Sequence, residues 1–268
     1  MQYGEVTYQG DKPYDVFFKG KHIRVEGNKP VKLPLQKCIE LIQNTEVFLP
    51  TEQTATTMKR LKVYKTKEIK NLLQNQDLFI IGSGPSLKGF DFNKLKNKKT
   101  MVLNHSLRYY SDADYLLFLD KKFVTECKDD IDKFKGIIFA SYRTGYAPSI
   151  GTKNKFYTFP IHRIKPQNDI VMGLFCGELA GLAGLNLGII MNAKRIFLLG
   201  FDLNPEKENY FFKDDFTKNK KYDERKMNKC VVHFEKFKQY KNRVFNCSSI
   251  SRISTFDYRD IKEVLNEK

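Results

Sequence analysis

The alternation of apolar and polar residues along this chain changes character near residue 77. Before it, the runs EVTYQ, YDVFF, KHIRVEG and PVKLP place Val, Tyr, Phe and Ile at every second position. A period of two predicts half-buried strands, and Asn28 and Pro30 supply turn chemistry between them. Residues 1–52 are therefore expected to form a small β-rich adaptor unit, built on a hairpin or a three-stranded sheet. QKCIELIQN adds a short helical pattern, and EVFLP a closing strand. Residues 53–76 are polar and basic, with Ile69, Leu72 and Leu73 on one short apolar face, and read as a helical linker.

From Asp77 the apolar runs become unbroken: DLFIIG, KTMVLN, YLLFLD, GIIFAS and KRIFLLGFD. Continuous runs of this length fit parallel strands covered on both faces, and helical stretches such as FDFNKLKN and VTECKDDIDKFK lie between them. The fold class expected for residues 77–268 is α/β, a Rossmann-like parallel sheet with helices on both faces. Gly181, Gly184 and Gly188 fall on close-packing positions of a helix spanning 177–193. The stretch from Tyr142 to Gln167 lacks periodicity and reads as a long loop or a strand with a lid. Asn204 to Lys229 is strongly charged, with Tyr210, Phe211 and Phe212 as isolated aromatics, and is expected to form a mobile loop or a small helical excursion over the site. An amphipathic helix (CVVHFEKFKQY), a strand (RVFNCS) and a last helix (DYRDIKEVLNE) close the chain.

Composition changes this picture in two ways. The 268 residues carry 47 basic and 31 acidic side chains, a net charge of +16, which attracts nucleotides, anionic glycans, nucleic acid or a membrane surface without choosing among them. The five cysteines are scattered without CxxC spacing, so reduced and mostly buried thiols are expected rather than disulfides or zinc. No stretch is long and apolar enough to span a bilayer, and MQYGEVTYQG lacks the pattern of a signal peptide, which points to a cytoplasmic protein.

The densest candidate chemistry is GSGPS, directly after LFII. Gly82 and Gly84 allow a sharp turn and close approach to a ligand, Pro85 suits a first helical turn, and Ser86 offers a hydroxyl to a phosphate or to the helix end. The stretch predicts a strand, a phosphate-sized turn and a helix N-terminus. It is neither a Walker loop nor a full GxGxxG, since Leu87 stands where the third glycine belongs. Ligands of open α/β sheets bind beyond the carboxyl ends of the strands, which selects Gly82, Ser83, Gly84, Pro85, Ser86, Asn104, Asp120 and Asp202. Asn104 has an alternative as a helix cap, and Asp202 as a tie between its turn and neighbouring amides.

GSGPSLKGFDFNKL, a second strand ending in Asn104 and a third ending in Asp120 together resemble the opening of one Rossmann-like group. GELAGLAGLNLGIIMNAKRIFLLGFDL resembles the same group's helix-strand unit. The group comprises the sialyltransferases of glycosyltransferase family 42, the motility accessory factors that modify flagellin, and the MptE-like 6-hydroxymethylpterin diphosphokinases. The likeness covers roughly residues 77 to 260 in separated blocks and implies a superfamily rather than one reaction.

By that resemblance, Gly82 to Ser86 and Asn104 hold the nucleotide. Tyr210 matches a tyrosine that donates to the departing phosphate, and Asn204 replaces that tyrosine's companion. His233 lies near the position of the general base, although Val231, Val232, Phe234 and Phe237 equally suit a packing histidine. Asp120 replaces an asparagine, and its carboxylate suits a divalent ion, a hydroxyl or a ribose. Gly181 or Ala180 replaces a serine, which departs from cytidine and sialic acid specificity. Arg143, His162, Arg163 and Lys165 are candidates for an anionic acceptor. The implied function is transfer of a sugar from a nucleotide-sugar donor to a hydroxyl of a glycan or of modified DNA. No cofactor is required, and a homo-oligomer is expected. A diphosphokinase would instead hold magnesium and ATP through Asp120 and Asp202. A third expectation comes from the β unit ahead of the transferase-like domain. That order resembles phage-encoded proteins, and implies a structural or DNA-binding module with a vestigial pocket.

Overall fold

The computed structural model describes residues 3–9, 14–18, 21–27, 29–34, 37–38, 41, 48–50, 69–141, 144, 156–159, 161–168, 170, 173–204, 210–212 and 224–267. The N-terminal part holds strands β1 (Tyr3–Tyr8), β2 (Tyr14–Phe18), β3 (Lys21–Val25), β4 (Pro30–Pro34) and β5 (Phe48–Pro50). β1 lies between β4 and β5 in an antiparallel three-stranded sheet, and β2 and β3 form a separate antiparallel pair. Both expected forms, hairpin and three-stranded sheet, are therefore present. The alternating apolar residues Val6, Tyr8, Val16, Val25 and Leu33 close over Cys38 and Leu41 as a core of their own.

The main sheet contains β6 (Leu78–Ile81), β7 (Lys99–Leu103), β8 (Tyr115–Phe118), β9 (Ile137–Ser141), β10 (Phe156–Phe159), β13 (Ile196–Leu199) and β14 (Val244–Asn246). Its order is β10-β9-β8-β7-β6-β13-β14, and every neighbouring pair is parallel. The chain moves outward from β6 to β10 and then returns to the opposite side of β6, so the strand order reverses between β6 and β13. The remaining short strands, β11 (Ile161–His162) and β12 (Leu174–Phe175), pair with each other. This is a Rossmann-like α/β fold.

Two cores cover the two faces of the sheet, because successive side chains of each strand point to opposite sides. On one face Leu78, Ile80, Met101, Leu103, Leu117 and Leu198 meet helix α3 (Ala180–Ile190). On the other, Phe79, Ile81, Val102, Leu116, Phe118 and Phe197 meet α1 (Lys121–Glu126) and α2 (Lys128–Lys133) through Phe123 and Ile131, and α5 (Ile261–Asn266) through Val264. Every residue of α3 is buried. Its glycines let it lie directly on the strands: a Cβ at Gly184 would come 3.1 Å from Leu103, and one at Gly188 2.8 Å from Leu78. Asn186, the one polar residue within this helix, has both the oxygen and the nitrogen of its side-chain amide engaged. It accepts from the amides of Gln167 (3.1 Å) and Phe175 (2.9 Å) and donates to the carbonyl of Gln167 (2.7 Å).

FYTF, in the stretch read as a long loop or a strand with a lid, is the buried edge strand β10. Three expectations change. FDFNKLKN forms only a 3-10 turn, Phe92–Leu95, and the stretch after GSG forms another, Pro85–Leu87. No α-helix separates β6 from β7. Residues 69–76, assigned to a helical linker, are turns in which Ile69 and Leu73 are fully buried in the main core. Residues 53–68 of that linker lie outside the described residues. Among the described residues no helix is long and apolar enough to cross a membrane, and none of the five cysteines is joined in a disulfide.

Candidate functional site

The reversal of strand order fixes where a ligand fits. Beyond the carboxyl ends of β6 and β13, the connections on either side of the reversal diverge and leave a crevice. A cavity of about 450 Å³ lies there. β6 contributes Gly82 to Pro85, β7 contributes Leu103 to His105, and the start of α1 contributes Asp120 to Phe123. The first turn of α3 contributes Glu178 to Gly181, and the segment after β13 contributes Gly200 to Asn204. Tyr210, Phe212, Met227 and Cys230 complete the wall, the last two from α4 (Glu224–Phe234). Of the residues selected from the sequence, Gly82, Ser83, Gly84, Pro85, Asn104, Asp120, Gly181, Asp202 and Tyr210 meet at this cavity. Ser86 and His233 do not line it.

The GSGPS turn is occupied by the protein itself. The amide of Gly82 donates to the carbonyl of Leu199 (2.8 Å) and that of Gly84 to the carbonyl of Gly200 (2.9 Å). The Ser86 amide and hydroxyl both donate to Asp202, at 2.7 and 2.6 Å, and Pro85 has no amide hydrogen. Of the amides in this turn, those of Gly82, Gly84 and Ser86 are thus engaged within the protein, Ser83 lines the cavity, and the Asp202 side chain is buried against the turn. The glycines answer the same contact: a Cβ at Gly84 would sit 2.5 Å from the Asp202 carboxylate, and one at Gly82 2.7 Å from the Gly200 carbonyl.

Polar residues also line the other side of the cavity. Asn104 has a left-handed backbone (φ 48°), and its buried Oδ1 has no hydrogen-bond partner. It sits in the first turn of the 3-10 helix Asn104–Arg108, whose cap is Leu103, so the capping role weighed for it is not the one observed. Asp120 precedes α1 with an exposed side chain that makes no capping bond. The first turn of α3 also ends here without a side-chain cap, and unpaired N–H groups at a helix start favour an anion. Lys121 and Lys122 add positive charge beside them. Leu203, next to Asp202, has φ 45°, a conformation unfavourable for a branched side chain. The carbonyls of Phe201 and Asp202 accept from the Ser251 hydroxyl (2.7 Å) and the Arg252 amide (2.9 Å), which hold this segment in place.

Tyr210, Phe211 and Phe212 are not isolated. The Phe211 amide donates to the Ser83 carbonyl (3.0 Å), Phe212 stacks on Tyr109 with ring centroids 4.5 Å apart, and Phe211 meets Phe92 and Tyr109. Tyr210 is thereby held at the rim. Asn204 lines the cavity but donates to the carbonyl of Ile250 (3.2 Å). His233 packs edge-on against Phe175, with ring centroids 5.6 Å apart, and backs Gly177. Burial lowers its pKa, Lys236 and Lys229 lower it further, and Glu178 opposes them. Arg163 and Lys165 are exposed away from the cavity, Arg143 lies outside the described residues, and so does the side chain of His162.

One pair of cavity residues was not selected from the sequence. His105 Nε2 lies 3.0 Å from Glu126 Oε2, and both side chains are 14% exposed. Phe123 holds the imidazole edge-on at 5.2 Å, and Lys122 approaches the second oxygen of Glu126 at 3.3 Å. The rule that selected Asn104, the residue following its strand, reaches His105 if extended by one position. Among the described residues no three His, Cys, Asp or Glu side chains come together as metal ligands. Both oxygens of Asp202 are engaged, and the other carboxylates that line the cavity are those of Asp120, Glu126 and Glu178.

No protein-family model matches the chain, and no curated protein sequence matches it. The fold and the cavity define its class, a Rossmann-like α/β protein with a ligand-sized crevice at the reversal of strand order.

Proposed function

We propose that the chain is a nucleotide-dependent transferase, and in particular a glycosyltransferase that moves a sugar from a nucleotide-sugar donor to a hydroxyl acceptor. The observation that carries this reading is the unpartnered, buried Oδ1 of a left-handed Asn104 in the crevice between β6 and β13. An unpaired buried acceptor costs about 1–3 kcal/mol, which a ligand that donates to it would recover. The walls suit a molecule that is hydroxyl-rich at one end and anionic at the other. Asn104 Oδ1, Asp120 and Glu178 are acceptors for sugar or ribose hydroxyls. Lys121, Lys122 and the first turn of α3 suit phosphate. Tyr210, at the rim, is placed to donate its phenol hydrogen to the departing phosphate.

Release of nucleotide from CMP-, UDP-, GDP- and ADP-sugars, with glycans or hydroxylated DNA as acceptors, tests the reading. Turnover of one donor without magnesium supports it. The exposed carboxylate of Asp120 favours a second reading, a diphosphokinase that takes magnesium with ATP. AMP formation from ATP that is abolished by EDTA would select that one. Binding of duplex DNA with a steep salt dependence, and of no nucleotide, would instead support a phage structural module.

A further inference from the structure

We infer that an aromatic groove beside the crevice seats an unpaired base of single-stranded nucleic acid, and that such a strand is the acceptor class of the proposed transfer. The second half rests on the nucleotide-sugar reading; the first does not. The groove is open and holds about 450 Å³. Phe90 and Phe92 reach it from the segment between β6 and β7, Tyr109 from the end of the 3-10 helix after β7, and Phe211 and Phe212 from the segment that follows β13. The rings brace one another: Phe90 meets Phe92 edge-on with centroids 5.2 Å apart, and Phe211 lies 5.8 Å from Phe92 and 5.0 Å from Tyr109. They are not sealed in a core. Tyr109 is 39% exposed, and Phe90, Phe92 and Phe211 are half-buried. Gly89 lines the same groove with nothing within 4 Å of where a Cβ would stand.

Three observations choose the occupant. Among the described residues of the lining, the Tyr109 phenol is the only polar side-chain group. A sugar ring needs partners for the hydroxyls around its rim, whereas a base offers a flat face to aromatic rings, and does so only when it is not stacked within a duplex. The flank is basic: from Gly84 to Lys98 the chain carries Lys88, Lys94, Lys96 and Lys98 against one carboxylate, Asp91, which accepts from the Asn93 amide as the cap of its own turn. Lys94 and Lys96 are exposed, and the whole chain carries +16, which suits a phosphate backbone. The groove also adjoins the crevice. Phe212 lines both, and the Phe211 amide donates to the carbonyl of Ser83, a crevice residue (3.0 Å). A strand seated there runs within one side chain of the donor site. In the transfer, a hydroxyl oxygen of the strand bonds to the anomeric carbon, the anomeric carbon–oxygen bond to phosphate breaks with its electron pair leaving on the phosphate oxygen, and the hydroxyl proton passes to water.

Fluorescence anisotropy of the full chain with labelled oligothymidylate of about twelve nucleotides, alone and paired with its complement, tests the groove without any donor. The single strand is expected to bind about tenfold or more tightly than the duplex. Phe90→Ala should weaken that binding about tenfold, and Phe90→Tyr should restore it to within about twofold. Lys94→Glu, at an exposed position, should also weaken it and lower the slope of log affinity against log salt by about one, which keeps the test open if Phe90→Ala fails to fold. Neither Phe90 nor Lys94 lines the crevice, so thermal stabilisation by the donor should be unchanged in both variants. Equal binding of single strand and duplex, or wild-type affinity in folded Phe90→Ala and Lys94→Glu, overturns the groove. The acceptor role is read by the mass of one sugar added to ribo-oligonucleotides or to strands with hydroxylated bases. Donor turnover without such transfer overturns that role alone, and a chain that binds the strand but turns over no donor overturns it together with the nucleotide-sugar reading.

Discussion

The same parallel sheet ends in two different ways. At its amino edge polar groups are paired. Asp77 receives Arg195 through two nitrogens, Arg195 and Arg259 both reach Glu267, and Asp114 receives Lys99 (2.8 Å) and the Thr100 amide (2.9 Å). At its carboxyl edge lie the unpaired buried oxygen of Asn104 and a cavity of about 450 Å³. On the proposed function, the difference is one between groups that hold the fold and groups that meet a ligand. Within the carboxyl edge, Ser86 and Asp202 are of the first kind and Asn104 of the second.

Substitution can break that distinction. Gly84→Val drives a side chain into the Asp202 carboxylate and the Gly200 carbonyl, and should cost about 3 kcal/mol or more in urea unfolding. Its loss of ligand binding would then report unfolding rather than a damaged phosphate site. The two aspartates sharpen the contrast. Asp202→Ala strands the Ser86 amide and hydroxyl and should cost about 2 kcal/mol, whereas Asp120→Ala should change stability by less than about 0.5 kcal/mol and weaken ligand binding. At the amino edge, Arg195→Met removes the half-buried pair with Asp77. A loss of about 1 kcal/mol that shrinks in high salt is expected.

Asn104→Gly should leave the fold as stable or up to about 1 kcal/mol more stable, since glycine accepts φ 48° and removes the unpaired oxygen. Ligand stabilisation should be lost in the same variant. The smallest effect concerns pH. Burial lowers the His233 pKa from its ordinary 6.5, so the fold favours the neutral ring. Its contribution is complete above 6.5 and is lost as pH falls through the lowered folded value. Urea midpoints should decline less between pH 7 and 5 in His233→Leu than in the wild type.

Much of this architecture is legible in the chain because its signals are local. LFII, IFLL and YLLF are buried on both faces, and nothing in their neighbourhood competes with a strand. FYTF is equally buried as β10, but it lies between a stretch rich in Gly and Pro and Pro160, whose composition reads as loop. The helix expected after GSGPS stops as a 3-10 turn at Leu87, and Gly89, two residues on, has a positive φ that no helix continues through. Tertiary pairings are harder. The consumption of the turn's amides by Leu199, Gly200 and Asp202 links residues more than a hundred positions apart. His105 and Glu126 meet only because α1 crosses over the end of β7, and no periodicity in MVLNHS or FVTEC announces it.

The central claim is that the carboxyl-edge cavity holds a nucleotide against Asn104. Thermal unfolding of the wild type and of Asn104→Gly, each with CMP, UDP, GDP and ADP compounds and their sugars, tests it most directly. A ligand at a hundred times its Kd adds about 2.7 kcal/mol of stability. The account predicts a raised midpoint with one nucleotide base in the wild type and none in Asn104→Gly. No shift with any compound, or an equal shift in both proteins, would contradict it.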